Sequence, residues 1–151
     1  HNQSRRQRQM CIRDRESTKQ FVKYMKADER PSVDGLIDLS PLLGEWFNTK
    51  SDTNYIKKLI LSHPNDSLII NTYGSSDESL IHWGEAEVIP YGSEKSPMIA
   101  GGFHGLYNLD GIETLLVSNC KLGIMVIQSY TRYLDGSSRS KHFGREFFYR
   151  K

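Results

Sequence analysis

From residue 42 to the last residue the chain reads as eight strand-length segments in a row, each bounded by turn chemistry, with no helix-period pattern between them. The segments are Leu42 to Thr49, Asn54 to Ser62, Ser67 to Tyr73, Ser79 to Ile89, Met98 to Tyr107, Ile112 to Asn119, Leu122 to Tyr133 and Lys141 to Arg150. Between them fall His63-Pro64-Asn65-Asp66, Gly74-Ser75-Ser76-Asp77, Pro90 with a loop to Pro97, Asn108-Leu109-Asp110-Gly111, a tight Cys120-Lys121 turn and Asp135-Gly136-Ser137-Ser138. Parallel neighbours need a crossover of about a dozen residues, which these links do not provide, so the strands are expected to form an antiparallel meander. Several segments are apolar on both faces, as where Ile124, Val126 and Tyr130 oppose Met125, Ile127 and Tyr133. A closed interior takes one such face. The predicted fold class is therefore all-β, an eight-stranded antiparallel up-and-down barrel preceded by a short N-terminal helix. The second apolar face needs cover, and a second subunit, making a homo-oligomer, is its natural source.

The first segment reads Leu-Leu-Gly-Glu-Trp-Phe-Asn-Thr. Strand alternation puts Gly44, Trp46 and Asn48 on one face and Glu45 and Phe47 on the other. Its Gly-x-Trp-x-Asn pattern, at the head of eight strand-like segments, resembles the opening strand of the calycin barrels: lipocalins, fatty-acid-binding proteins and, in the Asn, avidins. The resemblance is one of pattern over residues 42 to 151. It implies a barrel with Trp46 plugging one end and a small hydrophobic or amphipathic ligand held in the interior. It further implies that Asn48 meets the ligand's polar head, as the matching Asn does in avidins. Calycin barrels often lay a late arginine across that first Trp, and Arg145, sharing a face with Phe143, Phe147 and Tyr149, is the candidate for this closure.

Ahead of the barrel the chain changes character. Residues 1 to 16 are almost wholly polar, and Met10 to Arg15 resembles a translated sequencing-adapter string, so a disordered or artefactual arm is expected there. From Ser17 to Glu29, Phe21, Val22, Tyr24 and Met25 fall on one side of a helical wheel, which predicts a short amphipathic helix stopped at Arg30-Pro31. The segment to residue 41 is then a linker whose Leu36, Ile37 and Leu39 are expected to lie across the barrel's end. The net charge of +2 is carried by the arm. Without its five arginines and two acids, 15 cations face 16 anions, which gives no electrostatic argument for nucleic acid. No apolar run reaches the roughly 18 residues of a membrane-spanning helix. Cys11 and Cys120 make no disulfide framework, so a cytoplasmic setting is the expectation, with neither nucleic acid nor membrane as partner.

For chemistry, the candidate ligand-binding residues are Asn48, His82, His104, Met125 and Ile127. If the fourth and fifth segments pair through the loop at 90 to 97, His82 falls opposite residue 104 or 105 and both imidazoles share a face. No third ligand at zinc spacing follows, so no metal or other cofactor is predicted and the two are read as barrel histidines beside the ligand. Met125 and Ile127 would supply apolar lining. Trp83, Glu85 and Glu87 alternate with His82, Gly84 and Ala86. Two carboxylates so spaced can serve as acid and base when buried together, although a solvated strand face is their commoner use. Arg132, Arg139 and Lys141 gather around a Gly-Ser turn without the spacing of a phosphate-binding loop. The leading function is thus a small-molecule-binding barrel. Two alternatives stay open: a cyclase or isomerase resembling allene oxide cyclase, and a structural subunit whose barrel is filled by its own side chains.

Overall fold

The computed structural model describes residues 37–151 except residue 78. The arm, the helix and the start of the linker expected from the sequence lie outside the described residues. The elements are β1 (Gly44–Asn48), β2 (Ile56–Ser62), β3 (Leu68–Ser75), β4 (Leu80–Gly92), β5 (Ala100–Leu109), β6 (Ile112–Lys121), β7 (Ile124–Tyr133) and β8 (His142–Arg150). Each pairs antiparallel with the next, and β8 pairs back onto β1 to close the barrel. Closure gives every strand a neighbour on each side, and the alternation of side chains then separates an inner wall from an outer one.

On β3 the alternation is regular: Leu68, Ile70 and Thr72 are buried while Ile69, Asn71 and Tyr73 are partly exposed. On β7 the buried set is Met125, Ile127, Ser129 and Thr131. Trp46 and Asn48 face inward on β1, in the register expected from the first segment.

Two hairpins turn on pairs of residues with positive φ. Asp110 and Gly111 join β5 to β6 with φ of 51° and 83°, as the Asp-Gly signal predicts. The turn between β6 and β7 lies at Leu122 and Gly123, φ 54° and 77°, two residues beyond the Cys120-Lys121 position read from the sequence. Gly123 takes the second left-handed position without strain, and this draws Cys120 and Lys121 into the strand, where they pair with Met125 and Ile124.

β4 also departs from expectation. It runs through Pro90 and Tyr91 to Gly92 instead of stopping at Ile89. Its pairing with β3 ends at Leu68 and Val88, so beyond that point the strand has β5 as its single neighbour, the edge position that tolerates a proline. Ahead of β1, the chain crosses the end of the barrel. Asp38 forms a parallel bridge with Ile99, and Ile37 and Leu39 pack against the core.

The interior is not uniform along its axis. At the end where β1, β3, β5 and β7 begin, Leu42, Trp46, Leu61, Phe103, Met125 and Phe148 belong to one apolar cluster that forms the floor. The opposite end is lined by hydroxyls, an amide, a carboxylate and three aromatic rings.

Candidate functional site

The polar end is built around Trp83. Gly84, with φ of 95°, opens a bulge in β4: Asn71 pairs with Glu85 and Tyr73 with His82, so Trp83 and Gly84 together oppose one residue of β3. The extra residue reverses the alternation at that point. Trp83 therefore turns inward, whereas Glu85 and Glu87 stay on the exposed outer wall, and the sequence reading that grouped the three on one face is corrected by this bulge. The indole seats over Gly74, where a β-carbon would come within 2.7 Å of its Nε1. Tyr55 and Tyr107 meet it edge to face, each with ring centroids 5.5 Å away. The Tyr107 hydroxyl donates to the Gly84 carbonyl at 2.9 Å, with the Ile70 carbonyl a second acceptor at 3.2 Å, which fastens the bulge to β5. Burial pushes the Tyr107 phenol up from its ordinary pKa.

Opposite these rings stands a hydroxyl wall. Thr114 and Thr131 share a hydrogen bond of 3.0 Å, and the Tyr55 hydroxyl reaches Thr131 at 3.4 Å, so Tyr55 spans the end of the barrel. Glu146, on the inner face of β8, accepts hydrogen bonds from the Asn48 amide and, at 2.9 Å, from the Thr53 hydroxyl. Among the described residues no cation lies within ion-pair distance of it. Deeper in, the Thr72 hydroxyl is buried beside the Tyr107 phenol.

The residues singled out from the sequence are placed as follows. Trp46 is fully buried, and its Nε1 donates to the Leu42 carbonyl at 2.8 Å. Asn48 is buried with its amide committed: Nδ2 donates to the Ile56 carbonyl at 2.8 Å and to Glu146, and Oδ1 accepts from the Lys50 N–H at 2.8 Å. Met125 and Ile127 face inward, Met125 paired with Phe148 in the floor and Ile127 with Glu146.

The expected role of Arg145 is overturned. It points outward, 5.3 Å from the Phe147 ring, and the guanidinium 5.0 Å over Trp46 belongs to Arg150. Register decides this: Trp46 pairs directly with Arg150, and the inward positions of β8 are the even ones. Arg150 also donates to the carbonyls of Ser40 at 3.0 Å and Leu43 at 2.8 Å, tying the entering chain across the floor.

The pairing of His82 with His104 is likewise corrected. His104 pairs with Ile89 and His82 with Tyr73, because the longer β4 moves the hairpin centre toward β5. Both imidazoles lie on the outer wall. His82 stacks on Tyr73 with 4.7 Å between centroids and bonds Asn71 Oδ1 at 2.8 Å; His104 meets the Tyr91 hydroxyl at 2.8 Å. Among the described residues no group of three or more His, Cys, Asp or Glu is arranged to hold a metal ion.

Trp83, Tyr107, Thr131 and Glu146 were missed as a set. An isolated glycine inside a strand pattern is a bulge signal, so Gly84 could have revealed the inward Trp83. The inward Glu146 required knowing how β8 registers against β1, which local sequence does not encode. Compared with family models, curated proteins and solved structures, the chain finds no match.

Proposed function

We propose that this chain is a small-molecule-binding barrel of calycin-like architecture, and that it takes a compact amphipathic ligand at the end opposite Trp46. The observation that carries this reading is Glu146, a carboxylate turned into the barrel whose partners among the described residues are the neutral donors of Asn48 and Thr53. A ligand's ammonium or hydroxyl group would use a carboxylate so placed through a charge-assisted hydrogen bond. Trp83, partly exposed at this end, offers flat apolar surface for the rest of the ligand. Asn48 acts in this reading as the support that aims Glu146. His82 and His104 stand outside it. A cyclase or isomerase needs a second group to trade protons with the first, and Glu146 is the inner wall's one carboxyl group among the described residues. Binding is therefore preferred to catalysis.

Titration of the full chain with small aryl amines and their neutral isosteres, followed by tryptophan fluorescence and calorimetry, tests the reading. Amines are expected to bind more tightly than isosteres, and Glu146→Gln to remove at least tenfold of that preference. A library without a binder, together with Glu146→Gln raising stability, would leave a barrel filled by its own side chains.

A further inference from the structure

A second cavity lies at the opposite end of the barrel from Trp83, where β4 and β6 finish and β5 starts. It measures about 880 Å³ and is bounded by the last residues of β6, the first of β5, the loop that follows β4 and Pro41 of the entering chain. Small-ligand sites occupy roughly 300 to 1,000 Å³. A bulge opens its wall. Ala100 pairs with Gly92 and Gly102 with Tyr91, while the pairing of β5 with β6 begins at Gly102, so Gly101 is an extra residue with a cross-strand partner on neither side. A β-carbon there would meet no atom within 4 Å, so the backbone borders open space. Glycine inside a strand often marks a place where a ligand approaches the backbone closely.

The polar groups of the lining are of one kind. Ser118 is 7% exposed, and its hydroxyl has no hydrogen-bond partner among the described residues. Buried hydroxyls are ordinarily paired, so this one marks where a ligand's acceptor would sit. Cys120, on the same face of β6, is half-buried. Lys95 on the loop and Lys121 at the end of β6 are exposed, and neither forms an ion pair among the described residues. No carboxylate lines the cavity among the described residues. The Asp38 carboxylate, on the entering chain, is turned to the Ser40 N–H at 3.0 Å, and the exposed Glu94 stands outside the lining. Tyr91 and Ile99 add exposed apolar surface.

We propose that this cleft is a second ligand site, for a small organic anion with an apolar body. The anionic head accepts a hydrogen bond from the Ser118 hydroxyl in the field of Lys95 and Lys121, and the body lies along Pro41, Tyr91 and Ile99. The two ends of the barrel then select opposite charges, a cation beside Glu146 and an anion here.

Calorimetric titration of the full chain with benzoate and phenyl phosphate, with benzyl alcohol as the neutral control, tests the site. Either anion is expected to bind about tenfold more tightly than the alcohol. Lys95→Glu and Lys121→Glu should each weaken the anion about fivefold, with a larger effect at low salt than at high. Ser118→Ala should weaken it about threefold and leave melting unchanged, because that hydroxyl has no partner to lose. Glu146→Gln should not alter it, since that carboxylate stands at the other end. Cys120 supplies a local readout: the bound anion is expected to slow its alkylation by N-ethylmaleimide, followed on the Cys120 peptide by mass spectrometry. Anions no tighter than benzyl alcohol, binding insensitive to both lysine reversals, or Cys120 alkylation unchanged by a saturating anion would each overturn the proposal.

Discussion

At the scale of single residues, two arginines five positions apart on one strand have opposite fates. Arg150 lies over Trp46 and holds two carbonyls of the entering chain, so its aliphatic stem and its guanidinium both work in the floor. Arg145 lies on the outer wall, where its Phe147 contact is solvated. Arg150→Ala should destabilise by about 1 to 2 kcal/mol, combining the cation-π contact and the hydrogen bonds. Arg145→Ala should stay within about 0.5 kcal/mol. Urea titrations of both variants check the order, and equal losses would contradict the assigned register. An arginine near the end of a strand was legible in the sequence as a partner for Trp46. Which one was not, because neighbouring residues of a strand face opposite ways and only the pairing with β1 distinguishes them.

Among the elements, the turn from β6 to β7 stores strain. Leu122 sits at φ 54° with its side chain 94% exposed, so it bears the left-handed conformation without any burial in return. A non-glycine residue there costs about 1 to 2 kcal/mol, and asparagine bears it most easily. Leu122→Asn should therefore stabilise by about 0.5 to 1 kcal/mol, read as a rise in melting temperature. Unchanged or lowered stability would mean that Leu122 makes a contact absent from the described residues. Glycine position was a sound guide to turns in general, as at Asp110-Gly111. Where β-propensity competed with it, at Leu122 and again at Gly84 inside β4, the backbone followed the glycine and the strands rearranged around it.

For the whole molecule, the two tryptophans report on the two ends of the barrel. Trp46 closes the apolar floor with no exposed surface, and Trp83 lies partly exposed at the polar end. Trp46→Ala should cost about 3 to 5 kcal/mol because the floor cannot collapse around so large a cavity. Trp83→Ala should cost less, since solvent already reaches the ring and the void opens outward. Denaturant unfolding of both variants gives the comparison, and the reverse order would show that stability resides at the polar end.

Sequence by itself determined the count of strands, their antiparallel succession, the inward face of β1 and the burial of Trp46. Each of these follows from local alternation, turn residues and the need to bury apolar surface, which a reader of one segment can see. Closure itself was expected from the sequence, but its register was decided only by the tertiary structure. Joining β8 to β1 sets Asn48 opposite Phe148 and so brings Glu146 into the same interior as Asn48 and Thr53, residues more than ninety positions away along the chain. Pairing across such separations depends on bulges and loop lengths accumulated over the whole sheet, and one residue of slip exchanges the inner wall for the outer. The histidines expected inside and the glutamate found there differ by that slip.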